Sequence, residues 1–392
     1  MRTPSRDVVV LAAGQALTST VVSLLTSVSS LSGAALAPAP TLATVPVTAT
    51  VIGTLAMIYP AATVMGRLGR RGGFMVKAGI GVAGGIVCFA GLAAGSFAVL
   101  AAGAFLLGLF GAFGQYYRFA AIDVAPDRQD RATAIAVVSG AGVAGGIAGP
   151  FLGGRFAGAV AGVPYGGAFA ALTLVCVALA ASQMLLSAGL GRDAGPKAAA
   201  APTAKSRLGI GFVRASIVCA AGFAVMTLTM NAAPLSMAHA DHHVQASAAV
   251  LQVHFALMYL PSFVNPLLVE RIGVRGLVAA GAAAGALGCM LTAVPSQTLP
   301  LYMLELGLSG VAWNFIFNGG TLLLADTYPP ALRTRAQGVN SVIVYGANVL
   351  ASFSAGALVA PLGWAAVNLA CLPLLILAVV ASRRRGKSAV EA

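Results

Sequence analysis

The segment Met65-Gly-Arg-Leu-Gly-Arg-Arg-Gly72 returns, 204 positions later, as Val269-Glu-Arg-Ile-Gly-Val-Arg-Gly276. Nearly the same offset carries Asp123-x-x-Pro126 with Arg131-Ala132 onto Asp326-x-x-Pro329 with Arg335-Ala336. Two matches at one spacing mark an internal repeat, and the chain reads as two homologous halves. What lies between the repeated loops sets the fold class. The sequence is 59% hydrophobic and only 8% charged, with a mean hydropathy of +0.91, so it carries more apolar surface than a soluble core can bury and needs lipid as its solvent. Runs of ~20 apolar residues, the length that crosses a ~30 Å hydrocarbon core as a helix, recur from Val8 to Val380.

These runs predict an all-α integral membrane protein with twelve transmembrane helices, near 8–31, 43–64, 73–94, 97–119, 132–154, 165–187, 211–237, 246–268, 276–294, 298–322, 336–358 and 364–382. Residues 1–190 form an N-terminal six-helix half, 191–210 an Ala-, Pro-, Gly- and Lys-bearing cytoplasmic linker, and 211–392 a C-terminal six-helix half. Parallel repeats of this kind place substrate near the bilayer midplane and work by rocking one half against the other.

The net charge of +13 raises a nucleic-acid role, which the placement of the basic residues then removes. Counting spans from a cytoplasmic N-terminus puts Arg2, Arg6, Arg67, Arg70, Arg71, Arg128 and Arg131 on one side. Arg192, Lys197, Lys205, Arg207, Arg271, Arg275, Arg333, Arg335 and the Arg383 to Lys387 tail follow them there. Lys77, Arg118 and Arg214 fall within a few residues of the same face, and Arg155 alone lies opposite. Positive charge inside with both termini cytoplasmic follows, in the inner membrane of a bacterium. Ala35-Leu36-Ala37 has the look of a signal-peptide cleavage site, but the apolar run before it exceeds an ordinary h-region, so it is read as the first span. The five cysteines, Cys88, Cys176, Cys219, Cys289 and Cys371, fall inside spans without C-x-x-C spacing and are read as packing residues.

The loop after the second span resembles the signature of the major facilitator superfamily, roughly Gly-x-x-x-Asp-Arg-x-Gly-Arg-Arg. Gly66, Arg70, Arg71 and Gly72 survive in shortened form, while Gly69 lies near the place of the acidic residue. The fold this implies is two pseudo-symmetric six-helix bundles. With the motif acid missing, Asp123 and Asp326 become the partners for Arg70, Arg71, Arg131 and Arg335 in an inward gate; the alternative is solvated loop charge, since exposed pairs contribute little.

In the fifth span, Gly142-x-x-Gly145-Gly146-x-x-Gly149-Pro150-x-x-Gly153-Gly154 suits close helix packing and also resembles part of the antiporter motif of drug/proton exchangers. Spans 7 and 8 carry Met226-x-x-x-Met230 and His254-x-x-x-Met258. Residues four apart share a helix face, so four soft or borderline donors are candidates to converge on copper, Cu(I) above all. Packing is the competing account of the methionines, whereas a histidine in a membrane span is costly and functional by default. The hairpin between these spans adds Met237, His239, Asp241, His242 and His243, a possible periplasmic capture site or simply a polar loop. Glu305 is the one carboxylate well inside a span and a candidate for proton coupling.

The Met and His pairs, with Tyr116-Tyr-Arg-Phe-Ala-Ala121, Trp313-Asn-Phe, Gly319-Gly-Thr321, Arg335-Ala-Gln-Gly338 and Gly363-Trp364, resemble the CcoA-type copper importers of the same superfamily. That resemblance implies copper as transported substrate rather than cofactor, ligated by Met226, Met230, His254 and Met258 and delivered inward for oxidase assembly. The same branch holds permeases for riboflavin and other metabolites, so a proton-coupled drug or small-metabolite permease is the rival. A membrane metal sensor lacks a cytoplasmic domain to signal through. No nucleotide-binding loop, nucleophile–base set or carboxylate pair supports an enzyme. A monomer is expected, with copper and the lipid bilayer as partners and no nucleic acid or resident cofactor.

Overall fold

The computed structural model describes residues 5–124, 128–187, 190, 208–294, 298–329 and 332–383. Among them, eight stretches are long and apolar enough to cross a membrane. Two of these, Pro40–Ala93 with 54 residues and Arg335–Arg383 with 49, would extend about 80 and 70 Å as straight helices, over twice the hydrocarbon thickness. Each is interrupted at a glycine joint. The joint in the first is Gly69 (φ 72°) and in the second Gly363 (φ 77°), both in the left-handed region that costs other residues a Cβ clash.

Gly273 joins another such pair at φ 72° and ψ 168°, against φ 72° and ψ 178° for Gly69. These two glycines occupy equivalent places in the repeated segments, so the sequence repeat is also a repeat of backbone geometry. The missing motif acid has a conformational reason as well, because Gly69 makes the turn that an aspartate would resist.

The chain separates into two compact units, Met1–Lys197 with Val244–Gln252, and Ala198–His243 with Val253–Ala392. The first unit holds α1 (Arg6–Leu36), α2 (Val45–Ala93), α3 (Phe97–Ala112), α4 (Tyr116–Asp123), α5 (Arg128–Phe156) and α6 (Gly166–Gln183). Apolar runs make these helices, and hydroxyls within them are satisfied locally, as hydrocarbon demands. In α1, Thr18, Thr20 and Ser23 donate to the carbonyls of Gly14, Ala16 and Ser19 at 2.7, 2.9 and 2.8 Å. Ser23 also donates to the Gly145 carbonyl at 3.0 Å. A Cβ on Gly145 would stand 2.9 Å from Ser19 Cβ, and Gly149 and Gly153 press on Ser23 and Ser27 in the same way. The α5 glycine run is therefore a packing seam against α1. Thr50 and Thr54 of α2 donate to Ala104 and Gly108 of α3 at 3.1 and 3.0 Å, fixing that crossing too.

The division differs from the expected one at Val244–Gln252. These residues group with the first unit because Gln245 and Gln252 donate to the carbonyls of Gly154 and Ile147, at 3.3 and 3.0 Å. Most of the expected linker, 191–207, lies outside the described residues.

The second unit holds α7 (Ile210–His239), the latter part of α8 (Val244–Tyr259), α9 (Asn265–Leu291), α10 (Leu299–Ala325), α11 (Arg333–Leu369) and α12 (Leu372–Arg383). Side-chain hydrogen bonds tie its helices. Thr227 donates to Asn348 of α11, Asn231 donates to Ser352 at 3.3 Å, and Thr229 and Ser309 lie 2.7 Å apart. The helix breaks at Leu260–Phe263, beside Pro261. Asn314 repairs that break: its Nδ2 donates to the Met258 carbonyl at 2.8 Å and to Ser262 Oγ, and its Oδ1 accepts from Asn265 at 2.8 Å.

Candidate functional site

His254 of α8 is fully buried. Its Nδ1–H donates to the Leu306 carbonyl of α10 at 2.8 Å, which leaves Nε2 as a lone-pair acceptor. That nitrogen has no hydrogen-bond partner among the described residues. Gly310 makes the approach possible, since a Cβ there would meet His254 Nδ1 at 3.3 Å and its backbone oxygen at 2.8 Å. Met226 and Met258 are buried and Met230 is half-buried. Among the described residues no three His, Cys, Asp or Glu side chains gather closely enough to hold a metal ion.

An aromatic surface adjoins these positions. Trp313 and Phe317 of α10 stack at 5.2 Å between centroids with 12° between planes, and Phe223 of α7 meets both edge-on at 5.5 and 4.8 Å. Tyr259 at the end of α8 and Tyr345 of α11 complete it, 6.1 Å from Trp313 and 6.4 Å from Phe223. The rings are half-exposed rather than sealed, apart from the Trp313 indole nitrogen, a donor buried without a partner among the described residues. Such a surface can stack a planar ring system and offer it one hydrogen bond. In the sequence Trp313 stands out only within the Trp313-Asn-Phe block, because the cluster draws on four helices whose rings converge only in three dimensions.

Of the hairpin residues, Met237 is fully buried at the end of α7, so it does not present its sulfur to solvent. His239 and His243 are exposed, and His242 packs edge-on against Tyr302 at 5.8 Å. Glu305 is 4% exposed. Its Oε2 accepts from Trp364 Nε1 at 2.8 Å.

In the first unit, Arg70 Nε and Asp123 Oδ2 form an ion pair at 2.8 Å, with Tyr116 beneath the guanidinium. Arg71 is half-buried, and Asp326 and Arg335 are exposed and unpaired among the described residues. The side chains of Arg131 and Arg333 lie outside the described residues. Lys77 departs from its expected place near the surface. It is fully buried, donates to Thr18 Oγ1 and holds Nζ 4.6 Å from the ring centres of both Phe110 and Tyr117. Tyr117 in turn stacks on Phe74 at 4.1 Å. Two ring faces, rather than a carboxylate, lie against this nitrogen. The signal in the sequence was that Lys77 is the one lysine within a predicted span.

A protein described as the riboflavin transporter RfnT of Brucella anthropi is 31% identical over 379 residues, covering 96% of this chain and 94% of that one. This chain belongs to the major facilitator superfamily. An uncharacterized transporter of the same superfamily, YdeG of Bacillus subtilis, is 27% identical over 341 residues, covering 82% of this chain and 79% of that one. No family model matches. Among solved structures, the nucleoside transporter NupG aligns with a TM-score of 0.72 at 14% identity over 96% of this chain and 98% of that one. A bacterial homologue of the human lysosomal transporter Spinster aligns at 0.70 and 16% over 97% of both. At these identities the structures speak for the facilitator fold alone.

Proposed function

We propose that this facilitator is a gradient-driven permease for a flavin-class substrate, a planar heteroaromatic ring system with a polar tail, spanning the inner membrane twelve times with both termini cytoplasmic. The observation that carries the reading is the aromatic surface around Trp313 with its unpartnered indole N–H. Stacking on such rings and one directed hydrogen bond suit an isoalloxazine, and similarity over nearly the whole chain to a riboflavin transporter supports the same cargo. The test is uptake of labelled riboflavin by a riboflavin-auxotrophic bacterium that lacks its own transporter. Saturable uptake and growth on low riboflavin are expected; uptake no greater than that of the empty host refutes the reading.

Copper import is a second reading, favoured by His254. An imidazole whose Nδ1–H is fixed on a carbonyl presents Nε2 as a metal ligand in the manner of many metal sites, and Met226, Met230 and Met258 would add thioethers. Labelled-copper accumulation in the same host, lost in His254→Gln while riboflavin uptake persists, would favour it over the flavin reading.

A further inference from the structure

Glu305 sits about two turns from the α10 terminus at Leu299, beside a cavity of about 30 Å³ lined by Thr292, Leu301, Tyr302, Glu305, Trp364 and the exposed Val294. That volume has room for a water molecule. The carboxylate is buried, yet no Lys or Arg pairs with it among the described residues. Its hydrogen-bond partner is the neutral indole of Trp364, which stands immediately after the Gly363 joint of α11.

Among the described residues, no Lys or Arg is found in the groups that face it. On α10 itself there is Tyr302, whose hydroxyl lies 2.7 Å from Ser236 of α7. From α9 comes the Cys289 thiol, and between α11 and α12 the Cys371 thiol, which donates to the Val367 carbonyl at 3.4 Å. His242, before α8, reaches the far side of the Tyr302 ring. A buried carboxylate without a cation is costly when charged, and the group that neutralises it at least cost is a proton. A purely structural anchor for Trp364 would need only an acceptor, which Gln supplies as well as Glu.

We propose that Glu305 is the proton-binding site that couples transport to a proton gradient, with the proton entering through the water-sized cavity beside Val294. The step is a simple transfer: hydronium at the cavity gives its proton to the carboxylate, forming a neutral carboxyl, and the reverse transfer to water follows later in the cycle. Trp364 reports the change because its N–H lies on the atom whose charge is gained or lost. The inference rests on the permease reading but not on which cargo is carried.

The protein has two tryptophans, Trp313 and Trp364, so Trp313→Phe isolates the reporter. In lipid nanodiscs without substrate, the emission of Trp364 is expected to follow a one-proton transition between pH 4 and 9, about that expected of a carboxyl rather than a lysine or arginine. Glu305→Gln should abolish it. Infrared difference spectra of the protein with both tryptophans should show a protonated-carboxyl stretch that is lost in Glu305→Gln. In proteoliposomes, Glu305→Gln should lose pH-driven riboflavin accumulation while keeping counterflow exchange. A flat Trp364 titration together with no carboxyl band, a titration unchanged in Glu305→Gln, or normal pH-driven accumulation in that variant would overturn the proposal. Wild-type protein that titrates as expected but carries no riboflavin would refute the flavin reading and leave the proton site supported.

Discussion

Replacing Gly145 with alanine tests the α1–α5 seam. A Cβ at 145 would collide with the Ala16 carbonyl oxygen and stand 2.9 Å from both Ser19 Cβ and the Ala16 carbonyl carbon, about 1 Å inside ordinary carbon–carbon contact. One of these neighbours is backbone, so the strain cannot be relieved by a rotamer change and α1 must move. Ser23 also donates to the Gly145 carbonyl at 3.0 Å, and that bond would lengthen as the helices part. Overpacking of a tight site costs roughly 1–3 kcal/mol, against a gain of about 0.5–1 kcal/mol from giving a helical glycine a methyl group. The net loss should be about 0–2.5 kcal/mol, toward the upper end because the tightest clash is with backbone. Gly140 of the same helix is the matched control, because nothing stands within 4 Å of a Cβ there. Gly140→Ala should therefore show the gain alone. Fluorescence-detected thermal unfolding of the purified protein should move the two variants in opposite directions. Equal shifts of either sign would show that the glycine run is not a contact seam.

Three further outcomes are expected. Trp313→Phe should raise the KM for riboflavin by about 3- to 10-fold through loss of one hydrogen bond worth ~1 kcal/mol, and Trp313→Ala should raise it further; initial-rate uptake measures both. Thr18→Val should lower stability by about 1–3 kcal/mol by leaving the buried Lys77 amine without its oxygen partner. It should do much less in a Lys77→Met background, and a double-mutant cycle read by thermal unfolding decides this. Asp123→Asn should change the transport rate but shift the unfolding temperature little, since an ion pair this close to solvent is worth about 0–1 kcal/mol; the two readouts are compared at equal expression.

The sequence by itself determined the membrane solvent, the helical class and the repeat. Apolar runs of membrane length admit little besides helices, because hydrocarbon offers backbone groups no other partner. The match of Met65–Gly72 with Val269–Gly276 marked the repeat, while the structure shows that Gly69 and Gly273 within it are joints of nearly identical geometry. Glu305 and His254 were also legible, as lone polar groups in apolar surroundings stand out in one dimension. Only the tertiary structure decided what each of them touches. Lys77 looked like a surface cation until three other helices closed over it, and Met237 looked like a loop ligand until the end of α7 buried it. The surface of Phe223, Tyr259, Trp313, Phe317 and Tyr345 has no sequence signature, since its members sit on four helices at unrelated spacings. Helical periodicity tells which residues share a face of one helix, but a site built between helices depends on their rotation and depth, and those are set by packing contacts distant in the chain.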